Sequence, residues 1–451
     1  MNENEKLRYI RLGIPGDIMN TFRSGRTEKA VSMIDSRLSG ELSDDERACL
    51  EAYRKIIKRT PGEYPLSFDD VYKEIRKAVP GFKKKKLKEL ILSGAVHTHA
   101  ADGKMRYFSR AVPSLLKGMP ALAGKASYAP SPRDTAVRLM KENGEMSQRI
   151  TVRASIALSD RAFRKGMELH AYLPVPRACP EQSGITFSSV LPQGGLISPE
   201  DSLTRTIYWE ERMEKNHPFT VEYSYTRTQR YNNAYEAEGT GEKPDTGLRA
   251  YLREEYPQIV FTPLLKSVTS SLIKGTKDPL ERARRIYDYI TLGMTYSYMP
   301  AYFVLTDIVD DCLRSRKGDC GVFALTMITM LRYAGIPARW QSGLAAGPDS
   351  IGCHDWVRFY CAPFGWLYAD PSYGTGAVRD GNEERRRFYF GNIDPWRMSA
   401  NDTFMGAFSP EKRFFSSDPY DNQTGEIESG SRGFYGKDVK TRQELIGCTD
   451  I

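Results

Sequence analysis

Residues 322–331 run Val-Phe-Ala-Leu-Thr-Met-Ile-Thr-Met-Leu, apolar nearly all the way round a helix, and Gly335 and Pro337 stop the pattern. A helix with one apolar stripe can lie on a surface. A helix without a polar stripe must be covered on every side, so this segment predicts a buried helix. It is introduced by Gly318-Asp319-Cys320-Gly321, which places Cys320 at the helix start.

That position matters chemically. The thiolate is the nucleophilic form of cysteine, and the partial positive charge of a helix N-terminus stabilises it, drawing the pKa down from about 8.5 toward neutrality. The competing reading is a small buried hydrophobe, the ordinary fate of a free cysteine. The downstream sequence bears on the choice. His354-Asp355-Trp356-Val357-Arg358-Phe359-Tyr360 alternates, and so does Gly365-Trp366-Leu367-Tyr368-Ala369-Asp370, with Pro371 ending it. Joined by Ala362-Pro363-Phe364, the two runs predict an antiparallel hairpin that brings His354 and Asp370 together as cross-strand neighbours on one face. A carboxylate beside an imidazole fixes its tautomer and stabilises the imidazolium. The chain has only 5 histidines, so a pairing of this kind is unlikely to arise by chance.

The rest of the chain reads as several domains, since 451 residues suffice for two to four at about 100–200 residues each. Residues 1–145 predict a helical N-terminal domain. Ser43-Asp44-Asp45-Glu46 and Ser67-Phe68-Asp69-Asp70 are capping-box starts, and residues 96–108 predict a hairpin turning at Asp102-Gly103. Helix, helix and hairpin loosely resemble a winged helix, with Lys83 to Lys86 on the second helix. A solvated helix face is the expected role of these lysines, because only one element is basic, and no nucleic-acid partner is expected. His97 and His99 share a face without a Cys or carboxylate beside them, so no metal site is expected there. Residues 112–147, around Met119-Pro120 and Ala129-Pro130-Ser131-Pro132, suit a connector. Residues 146–250 switch to period two in five stretches, predicting a β-sandwich-like domain in which His170 and His217 stand singly. Residues 251–380 hold the helix and hairpin above, preceded by the Asp278-Pro279 start of another helix. Residues 381–451 read as a C-terminal extension wrapping that core, with Arg385-Arg386-Arg387 on a solvated strand edge.

Net charge of +8 is mild for this length and names no partner. No stretch approaches the roughly 18–20 apolar residues of a membrane span and the first residues lack the apolar core of a signal peptide, so a cytoplasmic chain without membrane contact is expected. The 7 scattered cysteines fit reduced thiols better than a disulfide framework.

Taken together, Gly318-Asp319-Cys320, the helix, Gly335-Ile336-Pro337-Ala338-Arg339, His354-Asp355-Trp356 and Gly365-Trp366-Leu367-Tyr368-Ala369-Asp370-Pro371 resemble the core of the transglutaminase-like superfamily. The resemblance implies an α+β, papain-like core, a nucleophile helix on an antiparallel sheet, here preceded by the β-sandwich and the helical domain. It implies Cys320 as nucleophile, His354 as general base and acid, and Asp370 as orienter, without a cofactor or metal. Asp355 stands where the family usually has Ala, and Ser372 where Thr often follows the Asp-Pro. The expected chemistry is acyl transfer on a protein, peptide or amide substrate through a thioester, with hydrolysis favoured over glutamine–amine cross-linking and a silent scaffold as the other alternative. Tyr296, Tyr298 and Trp356 are candidates for oxyanion or substrate contacts.

Overall fold

The computed structural model describes residues 2–124, 131–241 and 245–451; Ala129 and Pro130 of the expected connector lie outside them. The chain forms two compact units. One comprises Met1–Tyr128, Glu255–Val260 and Met294–Asp319, the other Ala129–Glu254, Phe261–Gly293 and Cys320–Ile451.

In the first unit the capping boxes form as the sequence predicts. Ser43 and Glu46 close the start of helix Asp44–Glu63, and Ser67 and Asp70 that of helix Phe68–Ala78. Strands Thr98–Ala101 and Lys104–Tyr107 pair antiparallel across Asp102-Gly103. Both turn residues have positive φ (50° and 71°), the geometry a two-residue type I′ turn requires. Val71, Ile75, Leu87, Leu90 and Tyr107 make a local core beneath the exposed lysines. His97 and His99 are packed against rings, His97 on Phe108 and His99 on Phe22 and Tyr64. Among the described residues no cluster of ligands suits a metal ion, and no helix is long and apolar enough to cross a membrane.

The second unit combines helices with antiparallel sheets. The five period-two stretches become strands Glu145–Leu158, Met167–Pro174, Gln182–Leu191, Thr206–Met213 and Phe219–Arg230. They divide between a four-stranded and a five-stranded sheet whose apolar faces share one core. Residues 381–451 do not wrap the core as a separate extension. Strand Arg397–Asn401 joins the sheet of the His354 strand, Glu426–Ser429 pairs with Met167–Pro174, and Val439–Asp450 pairs with Glu145–Leu158 along its length. The arginine triplet is likewise not a solvated edge. It lies in helix Glu383–Phe388 with Arg385 and Arg386 buried, because each finds carboxylates: Arg385 has Asp134 and Asp380, Arg386 has Glu383 and Asp288.

The apolar segment is the buried helix Cys320–Tyr333, packed against helix Pro279–Gly293 and strands Ala338–Gly347 and Ser350–Cys361. The five-stranded sheet beneath it places the His354 strand, Ser350–Cys361, between Ala338–Gly347 and Gly365–Ala369, with Arg397–Asn401 beyond the former. The hairpin register runs from Cys361 opposite Gly365 to Val357 opposite Ala369. Carried one step further it sets Asp370 opposite Trp356, so His354 meets Asp370 diagonally on the same face rather than directly opposite. Strand Ala338–Gly347 has no clear period in the sequence because both its faces are buried.

Gly343, the cross-strand partner of His354, lets strand Arg397–Asn401 come close: a Cβ there would stand 1.9 Å from the Met398 carbonyl oxygen. Gly343→Ala is expected to destabilise the protein by about 3 kcal/mol, the upper end for overpacking, because the obstacle is backbone. Urea denaturation with matched m-values measures it.

Candidate functional site

The site is built around two side chains at the end of the hairpin. His354 Nε2 lies 2.7 Å from Asp370 Oδ2, and both residues are buried. Asp370 is also the N-cap of helix Pro371–Arg379, its Oδ1 accepting from the Tyr373 backbone N–H and the Ser372 hydroxyl. One carboxylate thus starts a helix with one oxygen and orients an imidazole with the other. The Ser372 departure from the family pattern costs nothing here, since the serine hydroxyl supplies the contact.

Arg397 lies fully buried behind this pair. Its Nη1 is 2.9 Å from Asp370 Oδ2, while Nη2 donates to Asp394 at 2.7 Å. The Nη1 contact is off the N–H axis, so it acts as a charge contact while the hydrogen bonds go to Asp394. The Tyr373 ring lies tilted against the imidazole with ring centroids 4.4 Å apart, and the Arg397 guanidinium lies 4.4 Å from the Tyr373 ring. Sequence reasoning missed Arg397, Asp394 and Tyr373. The only signal for the first two is the Asp394-x-x-Arg397 spacing in a stretch read as irregular.

Burial by itself would raise the Asp370 carboxyl, but His354, Arg397 and the Tyr373 N–H outweigh it and hold Asp370 well below the usual carboxylate range. Arg397 adds to the His354 contribution in favouring the ionised carboxylate. Burial lowers the His354 pKa, Asp370 opposes this and Arg397 reinforces it, so the ring rests neutral. With Nε2 turned to Asp370, Nδ1 is the nitrogen left to face a reacting group.

Cys320 begins the helix that packs on the His354 strand and is partly exposed. None of the seven cysteines is in a disulfide. Burial pushes Cys49 up to about 11 and Cys361 up to about 12, and raises Cys179 and Cys448. Cys353 reaches the surface, yet desolvation of its thiol and then the charges of Asp355, Asp421 and Asp418 push it up to about 12.

Of the further candidates, Trp356 is fully buried and its indole N–H donates to Gln341 Oε1 at 2.7 Å, so its donor is committed and it serves as a wall beside the imidazole. Tyr296 and Tyr298 belong to the first unit, where their rings meet edge-on and Arg110 covers Tyr298. A cleft of about 380 Å³ in the second unit, lined by Tyr231, Tyr235 and Arg387 among others, includes none of Cys320, His354 or Asp370.

Against this geometry the comparisons are consistent. Residues 266–371 match the family model of the Transglutaminase-like superfamily. This stretch is a transglutaminase-like core. Short stretches of the chain also match curated proteins. One is the uncharacterized protein YebA of Bacillus subtilis, 32% identical over 83 residues, covering 15% of this chain and 11% of that protein. Another is a protein-glutamine gamma-glutamyltransferase of Pseudomonas aeruginosa, 36% identical over 84 residues, covering 16% and 13%. The chain thus spans little more than a tenth of the length of these relatives. Among solved structures, one from Cytophaga hutchinsonii provisionally named a cysteine protease aligns with 14% identity and a TM-score of 0.45, covering 68% of this chain and 91% of that one.

The His354 imidazole is expected to titrate below its reference of about 6.5, and Asp370→Asn to lower it further by removing the charge that opposes desolvation. The sign for stability follows: as pH falls through about 6.5 the unfolded chain takes up a proton that the folded chain refuses, so this group makes stability decline with acidification. Imidazole Cε1–H shifts across a pH series give the midpoint in both forms.

Proposed function

We propose that Cys320, His354 and Asp370 act as a Cys-His-Asp triad in a cysteine enzyme that acts on peptide or amide bonds through a thioester. The observation that carries this reading is the buried His354–Asp370 hydrogen bond, on a strand packed against the helix that Cys320 begins. His354 Nδ1 takes the Cys320 proton as the sulfur attacks the carboxamide carbon. The Cys320 backbone N–H at the helix start is the first donor to the developing oxyanion. The C–N bond breaks as the imidazolium gives its proton to the leaving amine, and water or an amine then resolves the thioester. Asp370 holds the ring and stabilises the imidazolium without itself taking the proton.

We favour water as acceptor and a protein or peptide as substrate, since no feature among the described residues marks a dedicated amine site; the Pseudomonas relative is named a protein-glutamine gamma-glutamyltransferase, so the acceptor is an outcome to be measured. The same reading keeps the chain in a reducing, cytoplasmic setting, supported by seven cysteines none of which is in a disulfide.

Limiting iodoacetamide at several pH values should modify Cys320 faster than any other thiol near neutrality, with Cys49, Cys179, Cys353, Cys361 and Cys448 held back by their raised pKa values and Cys312 by its burial. His354→Ala should slow that alkylation by about 10- to 100-fold, and Cys320→Ala should abolish amidase and transamidase activity. Peptide mapping reads the labels; a Cys320 that reacts no faster than Cys49 or Cys448 overturns the triad in favour of a silent scaffold.

A further inference from the structure

His354 is held by its backbone as well as by its ring. On the His354 strand, Gly365–Ala369 reaches only residues 357–361, so among the described residues the stretch around His354 has a strand neighbour on one side alone, where Gly343 stands opposite. The carbonyl of His354 is taken by a side chain from far along the chain. Gln423 Nε2 donates to His354 O at 3.0 Å and to Asp355 Oδ1 at 2.7 Å. The segment carrying Gln423 is in turn fastened to strand Arg397–Asn401, where Asn401 Nδ2 donates to the Asn422 carbonyl at 3.0 Å and Asn401 Oδ1 accepts from the Asn422 N–H. That is the strand that delivers Arg397 to Asp370.

Behind the amide stands a pair of buried carboxyl groups. Asp421 accepts from Trp340 Nε1, and Asp355, which accepts from the Gln423 amide, lies opposite Ser342 in the sheet. Two ionised carboxyl groups buried in one place repel each other, so one of them keeps its proton more readily than a carboxyl in water. We propose that Gln423 and the Asp355–Asp421 carboxyl pair are positioning residues for His354, acting through the backbone of its strand. The proposal rests on the triad reading and accounts for Asp355, the departure from the family's usual Ala: the carboxyl gives the Gln423 amide a second anchor. The groups that face the pair are Trp340 and Ser342 of strand Ala338–Gly347, Cys353 of the His354 strand, and Asp418 and Gln423 of the C-terminal segment, all neutral or acidic. Burial pushes Asp421 up to about 6. Above that pH two like charges remain behind the His354 strand and loosen the clamp.

The test reads iodoacetamide alkylation of Cys320 in the full chain, with folding checked by thermal melting. Gln423→Ala, and Gln423→Met, which keeps the length but has no N–H, should each slow alkylation by about 10- to 100-fold, as a displaced base would. Asp421→Asn keeps a neutral hydrogen-bonding group without the proton. Its rate relative to the parent protein should rise from roughly unity near pH 5 to several-fold near pH 8. If His354→Ala leaves alkylation unchanged, the triad reading itself fails. If His354→Ala slows it while folded Gln423 variants do not, the triad stands and the Gln423 role is overturned. A pH-independent Asp421→Asn ratio overturns the role of the carboxyl pair, and that ratio decides the question if both Gln423 variants fail to fold.

Discussion

The burial of the Asp370 charge governs how this part of the molecule is put together. An isolated carboxylate taken out of water costs several kcal/mol, and the cost is met only if charges and donors converge on it. Here the convergence comes from His354, the Arg397 guanidinium, and the backbone and hydroxyl donors at the start of helix Pro371–Arg379. With Asp394 also buried on Arg397, that guanidinium is shared between two carboxylates, Arg133 acting on Asp394 as well, and part of the Asp370 charge is left uncompensated. A proton arriving on His354 would balance it. The same arrangement that makes the buried carboxylate tolerable therefore favours the imidazolium at the moment a thiol gives up its proton, although desolvation keeps the ring neutral at rest.

The cost of this arrangement is topological. Arg397 reaches Asp370 only because strand Arg397–Asn401 enters the sheet beside Ala338–Gly347, and that approach needs a residue without a Cβ at Gly343. Gln423, coming from still later in the chain, closes on the carbonyl of His354. Residues more than forty positions beyond the family match at 266–371 thus complete the surroundings of its histidine. Strands Glu426–Ser429 and Val439–Asp450 then bind residues 426–450 into the other two sheets of the second unit.

The residues whose role depends on local pattern were legible in advance. The helix of Cys320 is apolar all round, the hairpin of His354 and Asp370 alternates, and the capping boxes at Ser43 and Ser67 are visible as four-residue signatures. The pairing of His354 with Asp370 followed from the hairpin, with the difference that the register makes it diagonal. The arginine triplet shows the limit. Three consecutive guanidiniums look solvated, yet two are buried because Asp134, Asp288 and Asp380 come to them from elsewhere in the chain.

Periodicity and spacing in the sequence alone thus determined the buried helix with Cys320 at its start, the histidine–aspartate hairpin and the transglutaminase-like block order, because each depends on residues within one or two elements. Only the tertiary structure decided that Arg397 neutralises Asp370, that Trp356 spends its indole N–H on Gln341, and that Gln423, Asp355 and Asp421 stand behind His354. Those contacts join strands and loops separated by tens of residues. A buried charge takes its partners from whatever the fold brings within about 3 Å, and no local pattern records that choice.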